Sequence, residues 1–497
     1  MHKLLYILCF CLGLLLQTQA QQLLERFNKI SGTGETYSEL AVLDSGFVTM
    51  VQDYYNWDAL VVREYDTKGD LVDSVHYDFG EFVDNNGDNL IPVPGSSDFI
   101  LALTKRHALL LVHFNRQWDT LYTQAYQFQD TVQTNIFSLK LDQDTNLVMT
   151  GYAFRRDLSR SSIITLKFDT SFNLIWEKQI NDPLSDKGGY QGLNILPIDS
   201  GYLVGGVASY FTQEPNKGVY ALIDNQGNLK WQRIVHKGLS TSGLHIAPRT
   251  DGNFFYVGYY EIDTTVSGVF DIQQMIYGQF DIQGNPAQEK ELGPIMTEIR
   301  GGAFTKLTNG HYVIGGSTFQ QGRPLGQLLC FDEDGNEIWH HRYFYAYERE
   351  TCFLETIKPA GSGLIGVGEV YDFDRRFSQP GQKFQWLLSV DENGCLNPDS
   401  CGQWFDTPEP EPLHAFELFP QPAQDYMQLH WNSQSLHGQA LQVRLISSDG
   451  RALQKLTANG EAGRIEVNTA ALPAGLYVLE VLSENQLLHR TKVLVQH

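Results

Sequence analysis

The sequence predicts an all-β chain: a seven-bladed β-propeller followed by a small C-terminal β-sandwich. Three observations lead there. Two short phrases recur seven times in a fixed order, at a spacing near fifty residues. Each phrase has the composition of a tight turn between strand-forming runs. The chain is also rich in turn and strand formers, with 45 Gly, 24 Tyr and 28 Phe among 497 residues, as sheets built of many short strands require.

The first phrase is an apolar residue, an Asp, and a short polar turn. It reads Tyr65-Asp66-Thr67-Lys68-Gly69, then Phe114-Asn115-Arg116-Gln117-Trp118, then Phe168-Asp169. Ile223-Asp224-Asn225-Gln226-Gly227-Asn228, Phe280-Asp281, Phe331-Asp332 and Val390-Asp391-Glu392-Asn393-Gly394 complete the series. Its second position steps by 49, 54, 55, 57, 51 and 59 residues. A second phrase precedes each copy, clearest as Asp44-Ser45-Gly46, Asp199-Ser200-Gly201, Asp251-Gly252-Asn253 and Gly361-Ser362-Gly363. Two hairpins make four strands, and a four-stranded repeat of this length is a propeller blade; solenoid repeats are usually shorter. Trp176, Trp231 and Trp339 follow the first phrase. In this they resemble the repeats of quinoprotein-like bacterial propellers. That resemblance implies Trp packing between blades, without a quinone.

The propeller is expected over residues 21–402. After Asp391 no outer strand is evident. One lies at the other end of the domain, Leu23 to Ile30, and resembles the outer strands Leu229 to Ile234 and Ile175 to Ile180. Left alone it would expose unpaired backbone groups. It is therefore expected to complete the last blade and close the ring.

Residues 1–20 read as a secretory signal peptide. His2 and Lys3 precede an apolar run from Leu4 to Leu16, and Ala20 ends the segment. No other stretch approaches membrane-spanning length. In an exported chain, Cys395 and Cys401 are expected to pair around the turn-forming Leu396-Asn397-Pro398-Asp399-Ser400. Whether Cys330 and Cys352 pair stays open. Residues 403–414, with Pro408, Pro410 and Pro412 alternating with Glu, form a spacer.

Residues 415–497 carry a specific resemblance. The segment opens with Leu418-Phe419-Pro420-Gln421-Pro422, continues through Val443 to the turn Asp449-Gly450-Arg451, and reaches Leu472-Pro473-Ala474-Gly475-Leu476-Tyr477. It ends on a basic-apolar strand containing Lys492. This is similar to the type A C-terminal sorting domain of the type IX secretion system, which favours Asn where Gln421 stands. The resemblance implies a Bacteroidetes-type bacterium and the type IX machinery as partner through residues 415–497. It also implies a route through the periplasm to a secreted or cell-surface location.

The formal net charge of −22 argues against nucleic acid and anionic membranes as partners. No catalytic motif is present. Asp84 to Asn89 and Asp332 to Glu337 resemble the front of a calcium loop, but both read better as turns, so no cofactor or metal is expected and calcium is the competing reading. The longer connections of the repeats carry aromatics beside arginines: Tyr54, Tyr55, Trp57, Arg155, Arg156, Tyr210, Phe211, Phe319, Arg323, Phe373, Arg375 and Arg376. Such pairs suit recognition surfaces. The expected function is a ligand-binding or adhesion module for an extracellular glycan or protein. The alternative is a hydrolase or lyase acting on glycans, with carboxylates converging on the central channel.

Overall fold

The computed structural model describes residues 24–32, 35–53, 59–79, 83–84, 87–105, 108–128, 131–155, 160–180, 188–210, 215–263, 272–320, 323–345, 350–372, 382–396, 416–419, 423–431, 440–447, 452–459, 463–483 and 486–496. Every helix or strand among them is a strand. The chain divides into two compact units, Met1–Cys401 and Gly402–His497.

The first unit is a ring of antiparallel sheets. The first repeat forms Glu35–Leu43, Gly46–Asp53, Ala59–Asp66 and Leu71–Asp78 in consecutive order. The third and fourth repeats, opening with Thr131–Leu141 and Gly188–Ile198, follow the same order. In the second repeat the first position is split between Val83–Asp84 and Leu90–Pro92, both paired with Phe99–Lys105. The opening strand of each repeat is innermost. Those of the second and third repeats run parallel through an Asp88–Ser138 bridge.

The fifth and sixth repeats share one strand. Pro286–Lys306 closes the fifth through Thr297 and opens the sixth, giving a single seven-stranded sheet. The last repeat supplies Glu350–Ala360, Gly363–Asp372 and Gln382–Val390. Its fourth strand is Phe27–Ser31, which pairs antiparallel with Gln382–Val390, Ile30 opposite Trp386. Each sheet packs on the next, and the last packs on the first through Glu35–Leu43 against Glu350–Ala360. Leu40, Phe47, Ile365, Val367 and Leu387 are buried in that closing seam.

The recurring Asp explains the turn. Asp224 Oδ1 accepts the backbone N–H of Gln226 and Asn228, and its Oδ2 accepts the Asn228 side-chain amide at 3.2 Å. The same wiring holds Asp281 to Asn285 and Asp332 to Asn336. These hydrogen bonds keep the turn carboxylates ionised, holding Asp332 below its usual range despite burial. The oxygens of Asp332 are thus engaged within its own turn. No cluster of three metal-ligating side chains occurs among the described residues. The fourth residue of the turn needs positive φ. Gly227, Gly284 and Gly335 supply it, but Trp118 (67°) and Phe172 (63°) also adopt it. Both are buried, Trp118 against Phe99 and Phe172 against Tyr122. Aromatic burial thus offsets the strain that a side chain meets in the left-handed region.

The second unit is a two-sheet sandwich. One sheet orders Phe416–Phe419, Tyr426–Trp431 and Arg464–Asn468; the other orders Ala452–Asn459, Ala440–Ile446, Gly475–Ser483 and Gln486–Val495. Alternate residues meet between the sheets: Met427, Leu429 and Val467 from one, Val443, Leu445, Leu479 and Val493 from the other.

Candidate functional site

The inner strands carry a feature that the turns do not reveal. Their pairing with the second strand breaks register at the same height around the ring, between Thr36 and Ser38, Ile136 and Ser138, Gly192 and Asn194, Ser242 and His245, and Leu354 and Thr356. A bulge inserts an unpaired residue and re-aims its side chain. Here Phe137, Leu193, Gly243 and Glu355 are bulge residues, and all line a central cavity of about 990 Å³.

Past several of these bulges, and at the matching place in the second repeat, a polar residue ties its strand to the next. Ser138 Oγ accepts the Ile195 N–H at 3.4 Å and Asn194 Oδ1 accepts the Ile246 N–H at 2.9 Å. Asn89 donates its amide to the Ile136 carbonyl at 2.7 Å. In the first repeat the position is Glu39, whose Oε2 accepts the Asn89 N–H at 2.9 Å. Glu39 is fully buried, and its Oε1 has no hydrogen-bond partner among the described residues. Burial, then repulsion from Asp88, pushes this carboxyl up to about 8.

Charges converge on the cavity at Asp88. Lys140 and Lys358 each donate to one of its oxygens. Burial alone would raise this carboxyl, but the two ammonium groups override it and hold Asp88 well below the carboxylate range. His245 faces the same space, and burial pushes its imidazole down to about 4. The wall is otherwise largely apolar and aromatic, with Leu196, Ile246, Tyr259, Phe304 and Leu354 beside the bulge residues. Lys140, Pro248, Lys306 and Pro359 lie at or near the ends of their inner strands, so the cavity reaches the end of the ring where the inner strands pass into the first turn of each repeat.

Tyr54, Tyr55, Trp57, Arg156, Phe211, Phe373, Arg375 and Arg376 fall outside the described residues. Arg155, Tyr210 and Arg323 sit at strand ends, at the connections between second and third strands. Those connections lie at the opposite end of the sheets from the recurring turns. Of the cysteines, Cys330 is a free, buried thiol and Cys395 is buried; Cys401 falls outside the described residues. Residues 1–20 and 403–414 fall outside them as well.

In the second unit, Tyr477 is buried and its hydroxyl donates to the Pro473 carbonyl at 2.7 Å. Gly475 opens the strand that pairs with Gln486–Val495, on which Lys492 lies opposite Val478. Ala423 is fully buried and is clamped to the terminal strand: its N–H donates to Leu494 and its carbonyl accepts from Gln496. Opening motif and terminal strand thus meet, which explains why both ends of the segment carry recognisable sequence. Pro420, Pro422, Asp449, Gly450 and Arg451 fall outside the described residues.

Residues 417–496 match the secretion system C-terminal sorting domain. The match spans the second unit and marks the chain as cargo of the type IX system. No curated protein sequence matches the chain. Solved structures similar to it include the K499G mutant of NanB sialidase from Streptococcus pneumoniae, 11% identical over 77% of this chain and 72% of that one, with a TM-score of 0.41. Others are the WD40 domain of SCAP from fission yeast, 8% identical over 73% and 98%, TM-score 0.32, and an endo-arabinase from Bacteroides thetaiotaomicron, 10% identical over 52% and 93%, TM-score 0.31. The chain is an all-β propeller protein with a C-terminal sorting domain.

Proposed function

We propose that this exported propeller is a ligand-binding protein, working outside the outer membrane, and that its ligand enters the central cavity. One observation carries the reading: a cavity of about 990 Å³ with an aromatic wall and a few convergent polar groups, the usual make-up of a small-molecule site on a rigid scaffold. Each of the seven repeats is read as one blade of a single ring. The aromatic–arginine connections offer a second surface, for a larger glycan or protein partner. The signal peptide and sorting domain supply the route, through the periplasm to the surface or the medium.

The enzymatic alternative draws on Glu39 and Asp88, whose environments push their proton affinities apart, as an acid–base pair requires. Against it, Glu39 is fully buried, and both Asp88 oxygens are taken by lysines. Thermal-shift and calorimetric screening of the mature secreted protein against small metabolites and short glycans tests the binding reading. A ligand whose stabilisation is lost on Phe137→Ala supports it; no ligand, or substrate turnover in the same mixtures, refutes it. Deleting residues 415–497 is expected to hold the propeller in the periplasm, and normal export of the truncated chain would remove the sorting-domain route.

A further inference from the structure

We infer that the cavity takes a short acidic saccharide, its carboxylate held by Lys140 and Lys358. The inference rests on the binding reading above and adds a chemical class to it. An ammonium group has three N–H donors. Lys140 and Lys358 each direct one to Asp88, which leaves donors on both for a ligand. Asp88 accepts from both lysines and carries one charge against their two. The trio therefore presents a donor face with a positive excess, inside a chain whose formal net charge is −22. A single carboxylate bridging two ammonium groups fits that face in charge and in geometry.

The rest of the lining suits a sugar ring. Hydroxyl groups need acceptors as well as donors. Glu355 stands at its bulge in the same wall, and Asn194 and His245 carry further polar atoms. Of the other lining charges, Glu369 is already paired with Lys383 at 2.8 Å, and Lys306 offsets Glu355 in formal charge, so the excess at the lysine pair stands. Phe137 and Phe304 add apolar ring surface to the lining, against which the C–H groups of a pyranose can pack. At about 990 Å³ the space accommodates roughly two or three sugar units, within the range of ordinary ligand pockets. A flexible peptide would bring more backbone polar groups than these few side chains can satisfy.

The test is calorimetry of the mature protein with a panel of hexuronate- and sialate-containing trisaccharides, each beside its carboxyl methyl ester. At least one acid is expected to bind tenfold or more tightly than its ester. Lys358→Met and Lys140→Met should each abolish that preference, with melting and near-ultraviolet dichroism confirming the fold. Asp88→Asn, which removes the competing charge and keeps the shape, should tighten the acid several-fold. Equal binding of acid and ester, or a preference that survives both lysine variants, overturns the inference while leaving the binding reading intact. Exclusive binding of peptides overturns the saccharide class. A protein that binds no small ligand at all fails at the earlier reading.

Discussion

The ring of Phe27 lies face-on against Gly69, so that a Cβ at Gly69 would stand 2.9 Å from its carbons. The contact joins the two ends of the propeller, since Phe27 belongs to the outer strand of the last sheet and Gly69 to the turn of the first. Every other seam repeats the theme where a Trp is present: Gly227 meets Trp176, Gly284 meets Trp231 and Gly394 meets Trp339. Phe27 therefore occupies the place of the blade tryptophan. Around it, Arg26 pairs with Asp391 at 3.0 Å and Trp386 donates to Asn28 at 2.6 Å. Phe27→Ala is expected to cost about 3 kcal/mol, as for a buried Phe, and removal of residues 24–31 more, since it opens the ring. Urea unfolding of the secreted protein checks both. A truncated chain with an unchanged midpoint would show that closure contributes nothing.

Trp118 tests the balance between backbone strain and burial. It stands where five other repeats place a Gly, at φ 67°. Trp118→Gly relieves strain worth roughly 1 kcal/mol but removes a side chain that is 3% exposed and stacks on Phe99 at 4.9 Å. Truncating a buried Trp costs about 3 kcal/mol or more, so burial wins and the variant should be less stable by about 2 kcal/mol. A Gly variant as stable as the parent would reverse the order of these two effects.

Much of this architecture is legible in the sequence because turns are local. Asp-x-x-Gly carries its own hydrogen-bonding instructions, and the seven copies mark the ends of strands wherever they fall. Trp176, Trp231 and Trp339 could likewise be assigned to the seams, where each indole donates to a backbone carbonyl of the next repeat: Asn225, Ile282 and Glu392. The shared strand Pro286–Lys306 was not legible, because Gly293-Pro294 and Gly301-Gly302 read as breaks between two repeats. The cavity was missed for a related reason. A bulge is a mismatch between two strands, and Phe137, Leu193 and Glu355 share no residue type. A periodic signal did exist one step on, at Glu39, Asn89, Ser138, Asn194, His245 and Thr356. It lay in the inner strands rather than in the turns that defined the repeat.

Glu39 predicts a pH dependence. Its carboxyl is raised from an ordinary 4.5 to about 8 in the folded ring. The native state therefore holds the proton more tightly than the unfolded chain. Stability from this group is fully present below about pH 4.5 and is lost as pH rises through about 8. Glu39→Gln keeps the oxygen that accepts the Asn89 N–H and cannot ionise. The variant should flatten the fall in stability between pH 5 and 8, and exceed the parent at pH 8.5 by an amount on the order of a few kcal/mol. Denaturant midpoints at the two pH values decide it; parallel curves for parent and variant would mean that Glu39 does not titrate in this window.

The last prediction concerns the end of the ring. Asp391 closes its turn by accepting the Cys395 N–H at 2.8 Å, which leaves Cys395 buried at the last described turn of the propeller. Five residues separate it from Cys401, and Asn397 and Pro398 favour a return of the chain. A bridge closing so short a loop is worth about 2 kcal/mol in lost unfolded-state entropy. Cys330 is the internal control. It is free and wholly buried, and burial pushes its thiol up to about 12, so it should resist labelling in the folded protein. Once the secreted protein is unfolded without reductant, a thiol reagent should modify Cys330 and spare Cys395 and Cys401. Prior reduction should add both. Peptide mass spectrometry reads the outcome at each site, and modification of Cys395 before reduction would mean that the ring ends without its staple.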